Sequence, residues 1–176
     1  MTVDGIRLTQ SLLVLPDPRV TATPEAYADQ FALARQVEAL GVRVSTALSE
    51  ADELLTQLDA AQPSGKPEIA KAVDAFRARV IGLSGLTPSK TPGGAWWLAP
   101  SSTQSLSFVG GALSRIGGAV DGSDGAPSKD ARDGWAKLQP SVDSLLEQWE
   151  VMRTRDLAAL NEQLKLAGGS TIGPPH

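Results

Sequence analysis

The chain has 176 residues, a length typical of one domain with an additional segment, and it is rich in alanine and leucine while only 5% of its residues are aromatic. This composition favours helix packing over a β-sandwich, so we predict an all-α fold. The net charge of −4 gives no general electrostatic reason to bind nucleic acid, and the absence of cysteine excludes disulfides, thiolate zinc sites and cysteine nucleophiles.

The N-terminal segment, residues 1–20, predicts a β-hairpin followed by a linker. Asp4-Gly5 between β-favouring residues is typical of a hairpin turn, and alternating apolar residues follow it. Proline cannot donate to a strand ladder, so Pro16 and Pro18 end the pattern. Because an isolated two-stranded hairpin is only marginally stable in water, we expect this segment to be the end of a preceding β-sandwich.

Residues 21–167 predict an antiparallel, up-down-up-down four-helix bundle. Its first helix is expected at about 24–61, with Thr23 as the N-cap and Pro24 at the first helical position. Along this helix, apolar residues recur at alternating gaps of four and three, the spacing of a buried helical face. That face comprises Leu33, Val37, Leu40, Val44, Ala47, Ala51, Leu54 and Leu58, and it is widened by Phe31, Leu48 and Leu55.

The same spacing predicts three further helices, at about 67–83, 104–120 and 128–166. Ser128 is the expected N-cap of the last helix, in which Pro140 predicts a kink or a short break because proline removes a backbone donor. After Met152 the apolar spacing of this helix resumes with a small rotational slip. Gly168-Gly169 ends the helix, and residues 168–176 are predicted to form a flexible tail.

Four glycines distinguish the third helix. Gly110 and Gly117 lie seven residues apart, as do Gly111 and Gly118, so each pair aligns on one side of the helix. Because glycine has no side chain, another backbone can approach closely there. We interpret these glycines as sites of tight helix packing rather than of ligand contact.

No catalytic or metal-binding motif emerges from the sequence. The only histidine is His176, which excludes a Ser-His-Asp triad and the Glu-x-x-His motifs of di-iron bundles. Residues 121–132 resemble part of a calcium loop but have alanine and arginine where an EF-hand has its glycine and bidentate glutamate. Glu50 with Glu53 could act as an acid and a base, but their place on the polar stripe of the first helix predicts a solvated face. We therefore expect no enzyme activity, no metal and no cofactor.

The connection between the second and third helices, residues 84–103, carries two adjacent tryptophans, Trp96 and Trp97. Adjacent indoles on a loop could cover the open end of the bundle, anchor a protein partner or stack on a sugar. The stretch from Ala75 to Val120 has no acidic residue, a composition suited to docking an acidic neighbour. The candidate contact residues for a partner or a glycan are therefore Trp96, Trp97, Arg77, Arg79 and Lys90.

Several strings of the sequence are similar to one protein family. The opening contains Thr2–Gly5, Thr9-Gln10, Leu12, Val14 and Asp17–Val20, and later strings read AVDGSDGAPS and DLAALNEQL. These strings resemble the C-terminal region of large secreted bacterial proteins built on sortilin-like, BNR-repeat β-propellers, which are often labelled glycosyl hydrolases. In that family a β-sandwich ends in a hairpin and is followed by a helical region. The resemblance covers nearly the whole chain and carries over no catalytic residue.

The residues and the resemblance together predict a non-catalytic structural or protein-interaction module, the last module of a longer protein. Its expected partners are the β-propeller and β-sandwich modules of a parent protein or of a homologous chain. The alternative is an accessory module of a glycosyl hydrolase in which Trp96 and Trp97 contact glycan. We expect no membrane span and recognise no signal peptide, so the chain as given is predicted to be cytoplasmic, whereas the resemblance implies a secreted or periplasmic parent.

Overall fold

The computed structural model describes residues 2–3, 6–7, 9–15, 17–60, 67–86, 104–122 and 124–173. As predicted, the fold is a helical bundle of the all-α class. Its helical segments are α1 (Pro24–Ala60), α2 (Pro67–Ser84), α3 (Leu106–Asp121), α4 (Lys129–Val151), a π-helical turn (Met152–Asp156) and α5 (Leu157–Leu166). The bounds predicted from the sequence differ from these by no more than two residues.

At the N-terminus, the two-residue strands β1 (Thr2–Val3) and β2 (Ile6–Arg7) pair antiparallel, with Thr2 opposite Arg7 and Val3 opposite Ile6. The Asp4-Gly5 turn predicted between them lies outside the described residues. Residues 9–15, which follow, are neither helical nor part of a strand ladder. The origin of this segment as the end of a preceding β-sandwich stays a prediction.

Side-chain caps fix where three of the helices begin. Thr23 Oγ1 accepts a hydrogen bond from the Ala26 amide at 3.2 Å, and Ser128 Oγ accepts one from the Ala131 amide at 3.1 Å. Ser105 caps α3 in the same way. Such caps satisfy amide groups that the first helical turn leaves without a partner. The N-caps predicted at Thr23 and Ser128 are confirmed.

The two long rods of the bundle, α1 and the continuous rod from α4 through the π-helical turn to α5, run in the same direction. Three contacts between the rods establish this direction: Asp29 with Arg132, Arg43 with Asp143, and Glu50 with Trp149. The residue numbers rise together on both rods. At 1.5 Å per residue, the 37 residues of α1 span about 55 Å.

α3 runs antiparallel to the first half of α1. The Val120 carbonyl at the C-terminal end of α3 accepts a hydrogen bond from Gln30 near the start of α1. Gly110, near the N-terminal end of α3, lies against Val44, which is farther along α1. α3 also packs on α4, so both long rods cover its apolar face.

α2 runs in the same direction as α3. Arg79 forms an ion pair with Asp156 of the π-helical turn, while Leu83, one turn later in α2, borders a depression together with Met152. As residue numbers rise along α2, those of its neighbours on the long rod fall, so α2 is antiparallel to that rod. Because α1 is parallel to the long rod and α3 is antiparallel to α1, α2 and α3 run in the same direction. Gly85, directly after α2, lies against the side chains at the start of α3.

The bundle thus has three rods: α1, a middle rod made of α2 followed by α3, and the rod from α4 to α5. The up-down-up-down order predicted from the sequence is not the order that these contacts give. The connection between α1 and α2 reverses the chain direction, but the connection between α2 and α3 does not. The reason is length, because the 18 residues of α2 cover only part of the apolar face of the 37-residue α1, and the 16 residues of α3 cover the rest.

The π-helical turn accounts for the slip in apolar spacing seen in the sequence. Met152 and Leu157 are both buried although they lie five residues apart, where an α-helical face needs three or four. The Leu157 amide donates to the Met152 carbonyl five residues back, the bond that defines a π-helix. α4 is continuous through Pro140, so the break that the sequence offered there is absent, while the kink stays a prediction.

The core of α1 follows the predicted apolar face with one exception. Phe31, predicted to widen that face, is 68% exposed. In a three-rod bundle α1 has fewer neighbours than the predicted four-helix bundle would give it, so its buried face is narrower. No described helix is long and apolar enough to cross a membrane.

The segment after α5 packs back on the bundle. Ile172 is buried, and the Asn161 side chain binds its backbone twice, accepting from its amide at 2.8 Å and donating to its carbonyl at 2.8 Å. A side-chain amide offers a donor and an acceptor together, so it can hold an extended backbone as a strand would. The prediction of a flexible tail at residues 168–176 is therefore wrong at Ile172. Residues 174–176 lie outside the described part of the chain.

Candidate interaction surface

An open groove of about 530 Å³ lies between α1 and α3. We call it the α1/α3 groove and define it by Gly41, Val42 and Leu48 of α1 and by Gly110, Ser114 and Gly117 of α3. Apolar side chains and glycines make up most of its lining. An open apolar groove between two helices is a geometry that receives a further segment of chain.

The glycines of α3 create the groove. A Cβ on Gly110 would lie 3.3 Å from Val44 Cγ1, and a Cβ on Gly117 would lie 3.6 Å from Val37 Cγ1. The contact at Gly110 is tight, as predicted, the contact at Gly117 is ordinary van der Waals packing, and neither glycine brings a side chain that could fill the space beside the contact. The other two glycines of α3 have open space around them.

Apolar side chains stand exposed along the α1 edge of the groove. Val42 lines the groove and is 61% exposed, and the exposed Phe31 precedes the lining residue Ala34 by three positions. Residues three apart in a helix lie on the same face, so Phe31 extends the apolar edge. Among the described residues that line the groove, the charged ones are Glu38 and Asp121, both acidic. The groove thus suits an apolar guest that brings no negative charge.

A second exposed apolar feature is the N-terminal arm, by which we mean residues 9–15. Its last four residues, Leu12, Leu13, Val14 and Leu15, are 88%, 80%, 82% and 72% exposed. Single apolar residues are common on protein surfaces, whereas a contiguous apolar patch often marks a contact site. The arm and the α1/α3 groove are therefore two apolar surfaces of the same chain.

A polar cluster joins α1 to the long rod at the π-helical turn. Trp149 Nε1 donates a hydrogen bond to Glu50 Oε2 at 2.7 Å, and Arg153 Nε lies 3.9 Å from the same oxygen. Arg153 also donates to Glu150 at 2.7 Å. Glu50, expected on a solvated face, is instead half-buried against the rod. This correction reflects the packing of α1 beside α4, which the sequence does not reveal.

An ionic cluster holds α2 against the π-helical turn. The Asp156 carboxylate accepts hydrogen bonds from Arg79 and from Arg155, the latter at 2.9 Å. The guanidinium of Arg79, and then that of Arg155, holds the pKa of the Asp156 carboxyl below its ordinary value of 3.8. Asp156 is therefore a carboxylate at neutral pH and binds two cations at once.

Two of the contact residues predicted from the sequence, Arg77 and Arg79, lie in α2 and form ion pairs within the bundle. Their partners are Asp59 of α1 and Asp156 of the π-helical turn. This pairing offsets the positive charge that the two arginines could offer to an acidic neighbour. The other three predicted contact residues lie outside the described part of the chain: Trp96, Trp97 and Lys90.

The α1/α3 groove was not predicted from the sequence, although two signals point to it. The paired glycines at a spacing of seven predicted close packing, and a helix face without side chains leaves a trough beside such a contact. Val42 falls outside the apolar spacing of α1, so it is an apolar residue with no place in the core.

No protein-family model matches the chain, and no match was found among curated proteins or among solved structures. The similarity to sortilin-like, BNR-repeat proteins therefore stays a prediction. Within the described ranges, no group of three or more histidine, cysteine, aspartate or glutamate side chains is arranged to hold a metal ion.

Proposed function

We propose that this chain is a non-catalytic protein-interaction module and that the α1/α3 groove is its contact surface. The observation that carries the proposal is the open apolar lining of the groove together with the exposed side chains of Val42 and Phe31 on its edge. Burying such side chains stabilises association because apolar surface is removed from water. Apolar residues at the centre of a contact patch with charged residues at its rim are the usual anatomy of an interface.

The charged residues of the bundle support a structural role for its other surfaces. The pairs Arg77 with Asp59, Arg79 with Asp156, and Trp149 with Glu50 each join different helical segments. Groups that satisfy one another in this way position helices. The α1/α3 groove, in contrast, is lined mostly by apolar side chains and glycines.

The proposed contact surface is tested with Nile red, an uncharged dye that fluoresces in apolar surroundings. The full-length protein carrying Leu12→Ser and Leu13→Ser, which removes the arm as a dye site, should bind the dye, and adding Val42→Lys should remove most of the fluorescence. The matched control is Leu166→Lys, because Leu166 is 86% exposed but lies at the end of α5, away from the groove. Equal fluorescence of the Val42→Lys and Leu166→Lys proteins, with unchanged circular dichroism, would contradict the proposal.

We also propose that the module lies beside β-propeller and β-sandwich modules of a secreted or periplasmic parent, as the family resemblance implies. The quoted sequence strings are what supports this neighbour. The coding sequence upstream of Met1 tests it: an in-frame propeller is the expected finding, and a stop codon directly upstream would remove the proposed parent.

The glycan-contacting alternative depends on Trp96 and Trp97, which lie outside the described residues, and it stays a prediction. Retention on glycan affinity gels tests it with Trp96→Ala and Trp97→Ala. A protein-interaction module should show no retention that depends on either tryptophan. Retention that both substitutions abolish would favour the glycosyl hydrolase accessory role instead.

A further inference from the structure

We propose that two copies of this chain form a dimer by exchanging their N-terminal arms, so that residues 9–15 of each copy occupy the α1/α3 groove of the other. This inference rests on the proposed function, in which that groove is the contact surface, and it names the partner as a second copy. In such a dimer the partner supplies the apolar side chains that the groove lacks.

The arm and the groove are both open within one copy. The four apolar side chains of the arm are between 72% and 88% exposed, so the arm does not fill the groove of its own chain. The arm leaves the bundle through a turn in which the Val20 amide donates to the Asp17 carbonyl at 2.9 Å and Arg19 pairs with the Asp17 carboxylate. Each copy therefore presents an exposed apolar arm and an open apolar groove at the same time.

The lengths of the arm and the groove match. Seven residues of extended chain span about 23 Å at 3.3 Å per residue. The α1 residues that line the groove run from Ala34 to Leu48, which corresponds to about 21 Å at 1.5 Å per residue. One arm can therefore lie along the whole groove.

The chemistry of the two surfaces is complementary. Residues 9–15 read TQSLLVL and carry no acid that Glu38 and Asp121, the charged lining residues of the groove in the described chain, would repel. An extended backbone needs hydrogen-bond partners, because it has no internal ladder. The hydroxyls of Ser45 and Ser114 and the two carboxylates line the groove and can supply them.

Reciprocal exchange also explains why a second copy is a suitable partner. An isologous dimer engages each arm and each groove once, so the contact closes and leaves no apolar arm for a third chain. It also doubles the buried surface relative to one arm in one groove. A stable interface needs about 800 Å² on each partner, which two arms reach more readily than one.

Sedimentation velocity of the full-length chain over a range of concentrations is the first test. The unchanged protein should be a dimer that dissociates on dilution. Leu12→Ser with Leu13→Ser should raise the dissociation constant by at least about a hundredfold, since burying one leucine is worth more than a factor of ten. Leu166→Ser replaces an equally exposed leucine outside the arm and should leave the dimer unchanged.

The second test locates the arm. The chain has no cysteine, so Ser11→Cys introduces one site for a nitroxide label in the arm. When the labelled protein is mixed with unlabelled, ¹⁵N-enriched chain, the amide signals of Gly110, Ser114 and Gly117 in the enriched copy should broaden. A nitroxide at Leu166→Cys is the control and should leave these three signals sharp.

Three results would overturn arm exchange. They are a monomer at every concentration, a dimer that survives the two arm substitutions, and a dimer whose nitroxide broadens residues outside the groove. Each of these leaves the Nile red experiment to decide separately whether the groove takes an apolar guest. A groove that binds no dye and whose amide signals the labelled arm does not broaden would contradict both proposals.

Discussion

The two halves of the middle rod pack against α1 in opposite ways. α2 buries large side chains such as Phe76 and adds ion pairs through Arg77 and Arg79. α3 instead presents Gly110 and Gly117 to α1, where they lie against the side chains of Val44 and Val37. Large side chains and paired charges thus form the contact between α1 and α2, whereas the glycines leave a groove beside the contact between α1 and α3.

The difference shows that close packing and surface coverage are separate properties of a helix interface. Glycine allows the nearest approach of two helices but contributes no side chain to cover the neighbouring surface. Each glycine in a helix interior also costs up to about 1 kcal/mol relative to alanine, so α3 depends on tertiary contacts more than α2 does. The half of the bundle that carries the groove is therefore also the half whose helix is intrinsically weaker.

The largest effects should come from the core residues of the two halves. Phe76→Ala in α2 should lower the free energy of unfolding by about 3–5 kcal/mol, and Leu113→Ala in α3 by about 2–5 kcal/mol, because each leaves a cavity in a buried site. Urea unfolding followed by circular dichroism measures both. Losses below about 0.5 kcal/mol would place these side chains on the surface and contradict the packing of that half.

A smaller loss is expected at the polar cluster between α1 and α4. Glu50→Ala removes the acceptor of Trp149 Nε1, and because Trp149 is only 2% exposed the orphaned buried donor costs about 1–3 kcal/mol. Trp149→Phe and the double variant complete a thermodynamic cycle. Strict additivity of the two single changes would show that the hydrogen bond does not couple α1 to α4.

Alanine substitutions in α3 separate the glycines that pack from those that face open space. Gly118→Ala meets nothing within 4 Å and should raise the free energy of unfolding by up to about 1 kcal/mol through helix propensity alone. Gly110→Ala should gain less or lose stability, because its Cβ would lie 3.3 Å from Val44. Equal gains at the two positions in urea unfolding would mean that α3 does not pack closely on α1.

The smallest effect concerns acid stability in the α2 half. The folded-state pKa of Asp156 is held below 3.8, so its pairing with Arg79 stabilises the protein above that pH and is lost as the pH falls through the lower, folded-state pKa. Asp156→Asn should therefore reduce stability at neutral pH and make the acid-induced loss less steep. Thermal unfolding between pH 7 and pH 2 measures this, and identical pH profiles for both proteins would contradict the pairing.

The helices and their buried faces were predictable because apolar spacing records which side of each helix meets the core. The same spacing recurs in every helix, however, and carries no information on chain direction. The connection between α2 and α3 is long enough to reverse the chain or to return it to the same place. The sequence pattern therefore could not predict the order of the rods.

The candidate site was only partly predictable for a related reason. The glycine spacing indicated close approach, and the predicted slip after Met152 lies where the structure has the π-helical turn, which the sequence analysis did not predict. The burial of Glu50 depends on Trp149, 99 residues away, and the exposure of Phe31 depends on how many rods surround α1. Such properties arise from contacts between distant segments, which local periodicity does not encode.

The parallel course of α1 and the long rod from α4 to α5 is the central claim, because the up-down-up-down order predicted from the sequence requires these two rods to be antiparallel. Nitroxide pairs measured by double electron–electron resonance test it with three exposed alanines. The pair Ala32→Cys with Ala136→Cys should lie within about 15 Å between Cα atoms, since parallel rods pack about 10 Å apart. The pair Ala32→Cys with Ala159→Cys should exceed about 30 Å, because 159 lies farther along the same rod. A short distance for the second pair and a long one for the first would contradict the three-rod arrangement.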